Sequence, residues 1–298
     1  MAAPSRPVEG ILWMVATGLC FIAVTAVVKH GAQDLPAAQA AFLRYLLGLV
    51  FLVPVAKTLL AVRLTRGDLA LYSVRGLAHT LAVILWFYAM TQIPIAEVTA
   101  MNYLNPVYVT LGAALFLGER LAARRIIAVI VALLGVVVIL RPGFREVETG
   151  HLAMLATALF FAGSYLTAKM LSGRHSATVV VGMLSVTVTI GLAPFAWAVW
   201  VPPTWADLGW MFLVAIFATA GHYSMTRAFA AAPVSVTQPV TFLQMVWAVL
   251  LGWALFDEPP DGFVILGAGL IIASVSFIAW REARLRRQVT PNPMATKH

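Results

Sequence analysis

Charge is what this 298-residue chain has least of. Only 11% of its residues are Asp, Glu, Lys or Arg, while 61% are hydrophobic and the mean hydropathy is +0.91; a soluble domain carries about 25% charged residues. A water-soluble fold is thereby excluded and a polytopic membrane protein implied. Cysteine is nearly absent. Cys20 stands alone, so no intrachain disulfide is available, and its apolar neighbours mark it as a small core residue. There is no Walker A motif, no H-E-x-x-H and no Cys/His set at metal spacing, so neither cofactor nor metal is expected and the chain does not read as an enzyme. Acids are missing from the middle of the apolar segments, and Glu97, within one turn of a segment end, comes nearest. The net charge of +8 does not point to nucleic acid, because the basic residues fall in short runs between apolar segments and not on one solvated face.

What is present is hydrophobic length. A hydrocarbon core of about 30 Å needs roughly 20 helical residues per span, and turn residues and charges cut the chain into ten such segments. The expected spans are 8–29, 36–57, 69–91, 94–117, 123–141, 151–171, 177–200, 206–231, 234–256 and 262–281. The first shows no A-x-A type cleavage site and is read as a retained span rather than a signal peptide. Ten spans place both termini on one side. On the N-terminal side lie Arg6, Lys57, Arg63, Arg66, Arg120, Arg124, Arg125, Lys169, Arg174 and the basic tail 282–298 with Arg281 before it; Lys29, Arg141 and Arg145 lie opposite. The positive-inside rule then makes both termini cytoplasmic, and the tail suits an anionic leaflet.

The chain also repeats itself. Residues 10–29, GILWMVATGLCFIAVTAVVK, lie over residues 150–169, GHLAMLATALFFAGSYLTAK, with Gly10/Gly150, Leu12/Leu152, Met14/Met154, Ala16/Ala156, Thr17/Thr157, Leu19/Leu159, Phe21/Phe161 and Lys29/Lys169 identical. Later the offset becomes 139: Pro94 meets Pro233, Asn105 meets Gln244 and Glu119 meets Glu258. Five spans per half is an odd number, so the second half enters the membrane inverted. Inverted repeats are a transporter signature, with the substrate site near the midplane between the halves. The expected fold is all-α and polytopic, ten transmembrane helices in two inverted five-helix repeats: 8–141, then 150–281, then the tail.

The runs AFLRYLLG (41–48), WFYAMTQIPIAEVTAMNYLNPVY (86–108) and LFLGERL (115–121), with the second-half ending LFDEP (255–259), resemble the drug/metabolite transporter superfamily. The closest likeness is to its ten-helix bacterial branch of two EamA-type domains. The second half departs from that pattern, with DEPP where GERL is usual and Leu184 opposite Arg44. The resemblance implies an inner-membrane carrier of small metabolites, working by alternating access in a lipid bilayer. The first span lacks the glutamate of the small multidrug pumps in that superfamily, which weakens proton-driven export of cationic drugs. The resulting expectation is export of amino acids, including aromatic ones; a multidrug exporter, a solute channel and an intramembrane transferase are the alternatives. No oligomeric state is specified, and a monomer is compatible with the sequence.

Polar groups in lipid must be paired or face a wet cavity, and helical spacing selects the candidates. Arg75, His79 and Trp86 share a stripe on span three; Asn102 and Asn105 share one on span four, with Tyr103 and Tyr108 beside it. Tyr165 lies on span six, His222 and Tyr223 on span eight, and Thr241, Gln244 and Trp247 on span nine. Spans one, three, four, six, eight and nine are therefore expected to line the cavity. The substrate-binding candidates are His79, Trp86, Asn102, Tyr103, Asn105, Tyr165, His222, Tyr223, Thr241, Gln244 and Trp247. Each also has a packing reading: amides and histidines bond neighbouring helices, and aromatic residues fill cores or sit in lipid belts. Arg44 either anchors a substrate carboxylate or holds two helices together. Pro106 and Pro239 are expected to kink spans four and nine, since each removes a backbone N–H.

Overall fold

The computed structural model describes residues 6–117, 123–172, 174–232, 237 and 240–289. Among them no strand forms; the chain is helix joined by short connections. The helices are α1 (Pro7–Gly31), α2 (Ala37–Gly48), α3 (Ala56–Ala61), α4 (Arg66–Gln92), α5 (Ile95–Asn102), α6 (Asn105–Leu117), α7 (Ala123–Leu140), α8 (Thr149–Ser172), α9 (Ala177–Ala198), α10 (Trp205–Ala231), α11 (Leu243–Phe256) and α12 (Gly262–Val289). Seven continuous helical segments are long and apolar enough to cross a membrane, and two shorter apolar helices, Ile126–Leu140 and Leu243–Phe256, add to them. The tenth span is the broken pair α5 and α6.

Two spans differ from continuous helix for identifiable reasons. Between α2 and α3 the chain tightens to a 3-10 stretch, Leu49–Val55, around Pro54, whose missing N–H interrupts the ladder. Span four, expected to kink, stops at Asn102 and restarts at Asn105. Tyr103 and Leu104 donate to Ala100 and Met101 in tight turns. Pro106 thus sits in the first turn of α6, where its missing N–H costs nothing. Pro239, Glu119 and residues 290–298 of the tail lie outside the described residues. α12 runs past its expected end at 281 to Val289.

The packing repeats as the sequence does. The most extensive contacts pair α1 with α10 and α4 with α8, and these are one contact under exchange of the halves. Its basis is close approach at matched glycines: a Cβ on Gly10 would lie 2.5 Å from Ala232, and one on Gly150 would lie 2.7 Å from Ile93, itself 139 positions before Ala232. Capping boxes recur at the same offset, Thr65 with Asp68 on α4 and Thr204 with Asp207 on α10, each satisfying the helix's first amides. α7 and α12 cross backbone to backbone, a Cβ on Gly267 falling 2.5 Å from the Gly135 carbonyl. Span ten's other glycine, Gly269, has nothing within 4 Å.

Candidate functional site

The pseudo-twofold axis can be located from two side chains. Tyr103 ends α5 and Phe242 precedes α11, residues equivalent under the 139 offset. Their rings meet edge to face at 5.5 Å, and the Tyr103 hydroxyl donates to the Thr241 carbonyl at 3.3 Å. Equivalent residues can touch only on the axis, so the halves meet where span four breaks. Beside the break Asn105 Nδ2 donates to Asn102 Oδ1 at 2.8 Å. Among the described residues the buried Asn105 Oδ1 has no hydrogen-bond partner, and neither do the buried indole N–H groups of Trp86 and Trp247. Gln244 is half-buried and lies near Gly18 of α1.

A second group lies across α2, α4, α8 and α10. His79 is buried, with Nδ1 3.1 Å from the Ser164 hydroxyl and Nε2 3.0 Å from the Tyr45 hydroxyl. Both ring nitrogens are occupied, so His79 braces three helices. The Arg44 guanidinium lies over the Tyr45 ring, 3.9 Å from its centroid. Arg75 is buried and donates to the Val180 carbonyl at 2.7 Å. Phe161 joins the group to an aromatic shelf: it stacks on Tyr165 (6.0 Å, 18° between planes) and meets Trp86 edge on at 6.1 Å. Tyr165 is 46% exposed, so open space, here called the cleft, adjoins the shelf and the neighbouring Tyr45 and Arg75. His222 is likewise exposed, packs edge on against Phe21 at 5.2 Å, and feels the charges of Arg44 and Arg75.

The candidates thus divide into two groups. Tyr103, Asn102, Asn105 and Thr241 gather at the axis; His79, Trp86, Tyr165 and His222 gather with Arg44 around the cleft. Tyr223 lies apart, 56% exposed, its hydroxyl accepting from Arg227, which also lies over Trp13 and approaches Glu9 of α1.

Sequence reasoning missed the ion pairs that close one face. Lys29, ending α1, pairs with Glu258 at 2.5 Å and donates to the Ile93 carbonyl; Glu258 also accepts from the Ile95 amide at 2.9 Å. Glu97, expected within one turn of a segment end, lies in the first turn of α5, buried and gripped by both terminal nitrogens of Arg145 at 2.9 and 2.6 Å. His151 Nδ1 accepts from the Glu148 amide, so its proton sits on Nε2 and is donated to Glu97. The Glu97 hydrogen bonds outweigh burial and hold the Arg145 guanidinium above its ordinary pKa. Arg141 pairs with Asp261, which caps α12 through the Phe263 and Val264 amides. A cavity of about 310 Å³ opens beside these groups, lined by Glu97, Arg145, Gly252 and Glu258 among others. On the opposite face Asp68 takes Arg174 at 3.1 Å, with His175 at 3.4 Å. Gln39, also missed, is buried and bonds the Val201 backbone through both ends of its amide.

The two halves of this bundle match the EamA-like transporter family separately, over residues 8–141 and 148–280. The chain belongs to that family. Relatives of this EamA-like chain are transporters of small molecules. A riboflavin transporter of Rhizobium johnstonii is 31% identical over 96% of this chain and 95% of its own. A pseudopaline exporter of Pseudomonas aeruginosa is 28% identical, covering 89% and 94%. An S-adenosylmethionine uptake transporter of Rickettsia conorii is 23% identical, covering 92% and 94%. A solved crystal structure shares the fold with a TM-score of 0.58 at 20% identity, over 93% of this chain and 99% of that one. The protein is accordingly a multi-pass small-molecule transporter of the drug/metabolite superfamily.

Proposed function

We propose that this chain exports small aromatic metabolites, aromatic amino acids foremost, across a bacterial inner membrane by alternating access, with both termini cytoplasmic. The observation that carries the substrate reading is the shelf of Trp86, Phe161 and Tyr165 along the cleft. Offset and edge-to-face aromatic contacts favour a planar ring beyond simple apolar burial. Asn105 Oδ1 and the Trp86 and Trp247 indole N–H groups, buried without partners among the described residues, supply the polar contacts that orient such a ring. The orientation rests on the Lys and Arg asymmetry of the loops. The riboflavin relative, named for a planar heteroaromatic solute, favours flavins as a second substrate of the same class.

Proteoliposomes loaded with labelled tryptophan, phenylalanine or riboflavin test the reading. Release of at least one, saturable and lost in Asn105→Leu or Gln244→Leu protein that still inserts, is the expected result. No release of any of the three above empty vesicles overturns it.

A further inference from the structure

We infer that Arg44 is the centre of an anion site in the cleft, so that aromatic solutes carrying a carboxylate or similar planar anion bind best; this deepens the aromatic reading and rests on it for the ring. Three observations carry it. The first is isolation: among the described residues Arg44 makes no ion pair and no hydrogen bond, its one contact being the Tyr45 ring. A guanidinium within an apolar span is costly unless it is paired or reaches water, and Arg44 is half-buried. The second is preorganisation. Tyr45 is fixed by His79, and His79 by Ser164, so the ring under the guanidinium is held in place, and among the described residues the guanidinium N–H groups have no hydrogen-bond partner. Their planar fork matches a carboxylate bidentately.

The third is the sign of the surroundings. Among the described residues, the side chains acting electrostatically on His79, His222, Arg75 and Tyr165 are Arg44, Arg75, His222, Tyr45, Tyr72 and Tyr165. Arg75 adds a second fixed positive charge, with its Nε buried and unpartnered. Four acids and their bases are instead sequestered at the ends of the bundle, as Glu97 with Arg145, Glu258 with Lys29, Asp261 with Arg141 and Asp68 with Arg174. Among the described residues, no carboxylate pairs with Arg44, and its charge is left for a solute anion.

The test measures binding to the purified full-length protein of three probes: 3-phenylpropionate, its neutral isostere 3-phenylpropanamide, and hexanoate, an anion without a ring. The carboxylate should bind at least tenfold tighter than the amide. Arg44→Gln should erase that difference, and Arg44→Lys, which keeps charge but not the fork, should restore part of it. Equal binding of carboxylate and amide to the unmodified protein overturns the anion site without requiring any variant to fold. Arg44-dependent hexanoate binding as tight as that of 3-phenylpropionate supports the anion site and sinks the aromatic reading instead.

Discussion

Replacing Glu258 tests the closure of the face that carries Lys29. The pair joins the end of α1 in the first repeat to the end of span nine in the second, at 2.5 Å, with side chains 15% and 14% exposed. Removing one partner of a fully buried pair costs about 3–5 kcal/mol. Water reaches a fraction of each group here, so about 2 kcal/mol is the expected loss for Glu258→Gln, which keeps an acceptor for the Ile95 amide. Glu258→Leu strands that amide as well and should lose about 1–3 kcal/mol more. In the Lys29→Met/Glu258→Leu protein neither charge is left alone, so the double loss should fall short of the summed single losses by about 1–2 kcal/mol. Melting in detergent reads the cycle. In proteoliposomes a Cys20→Ala, Val249→Cys background reports opening, because Val249 lines the cavity beside Glu258. Losing 2 kcal/mol from the closed state multiplies the open population by about 30, so Glu258→Gln should label far faster. Additive single losses, or unchanged labelling, would refute a latch between the repeats.

Other substitutions separate the remaining arguments. Gly267→Ala drives a methyl onto the Gly135 carbonyl, where no flexible side chain can yield, and should cost about 1–3 kcal/mol; Gly269→Ala, with open space, should be neutral or gain up to about 1 kcal/mol, and thermal melting ranks the two. His79→Leu leaves the Tyr45 and Ser164 hydroxyls without their partner, at about 1–3 kcal/mol each; an unchanged melting temperature would contradict the bracing role. Burial raises the Asp261 carboxyl pKa, but Arg141 and the Val264 and Phe263 amides more than offset it and hold it below its ordinary value. Its stabilisation is therefore present above the unfolded pKa of about 3.9 and is lost as pH falls through the lower folded value. Melting between pH 7 and 3 should accordingly be less acid-sensitive in Asp261→Asn, and an identical acid profile would remove Asp261 from the account.

The spans were legible because hydrophobic length and turn residues are local signals, and α4 and α8 fall within a few residues of the segments read for them. The inverted repeat was legible in Gly10 and Gly150, since a glycine at a close helix crossing admits no larger side chain. The break at Tyr103 was half legible: Pro106 signals an interruption, but ending α5 at Asn102 and opening α6 with the proline needs the tight turn between them. The brace on His79 was not legible, because Ser164 and Tyr45 lie 85 and 34 positions away and neither looks unusual in an apolar helix. The burial of Glu97 was not legible for the same reason. Its depth depends on Arg145 and His151 arriving from 48 and 54 positions further on.

The backbone frame is more symmetric than the chemistry it carries. Matched glycines, matched capping boxes and the touching pair Tyr103 and Phe242 obey the repeat, which gives the bundle two exchangeable arrangements of the same contacts. The charges do not obey it: Leu184 stands opposite Arg44, and Asp207 serves its own capping box while Asp68 also takes Arg174. A carrier needs both properties. Near-symmetry lets the halves trade places at small energetic difference, whereas a site symmetric in charge would bind a polar solute equally well in two opposed poses. Under the proposed function, the guanidinium on one repeat and the Asn105 amide oxygen at the axis select a single solute pose within that frame.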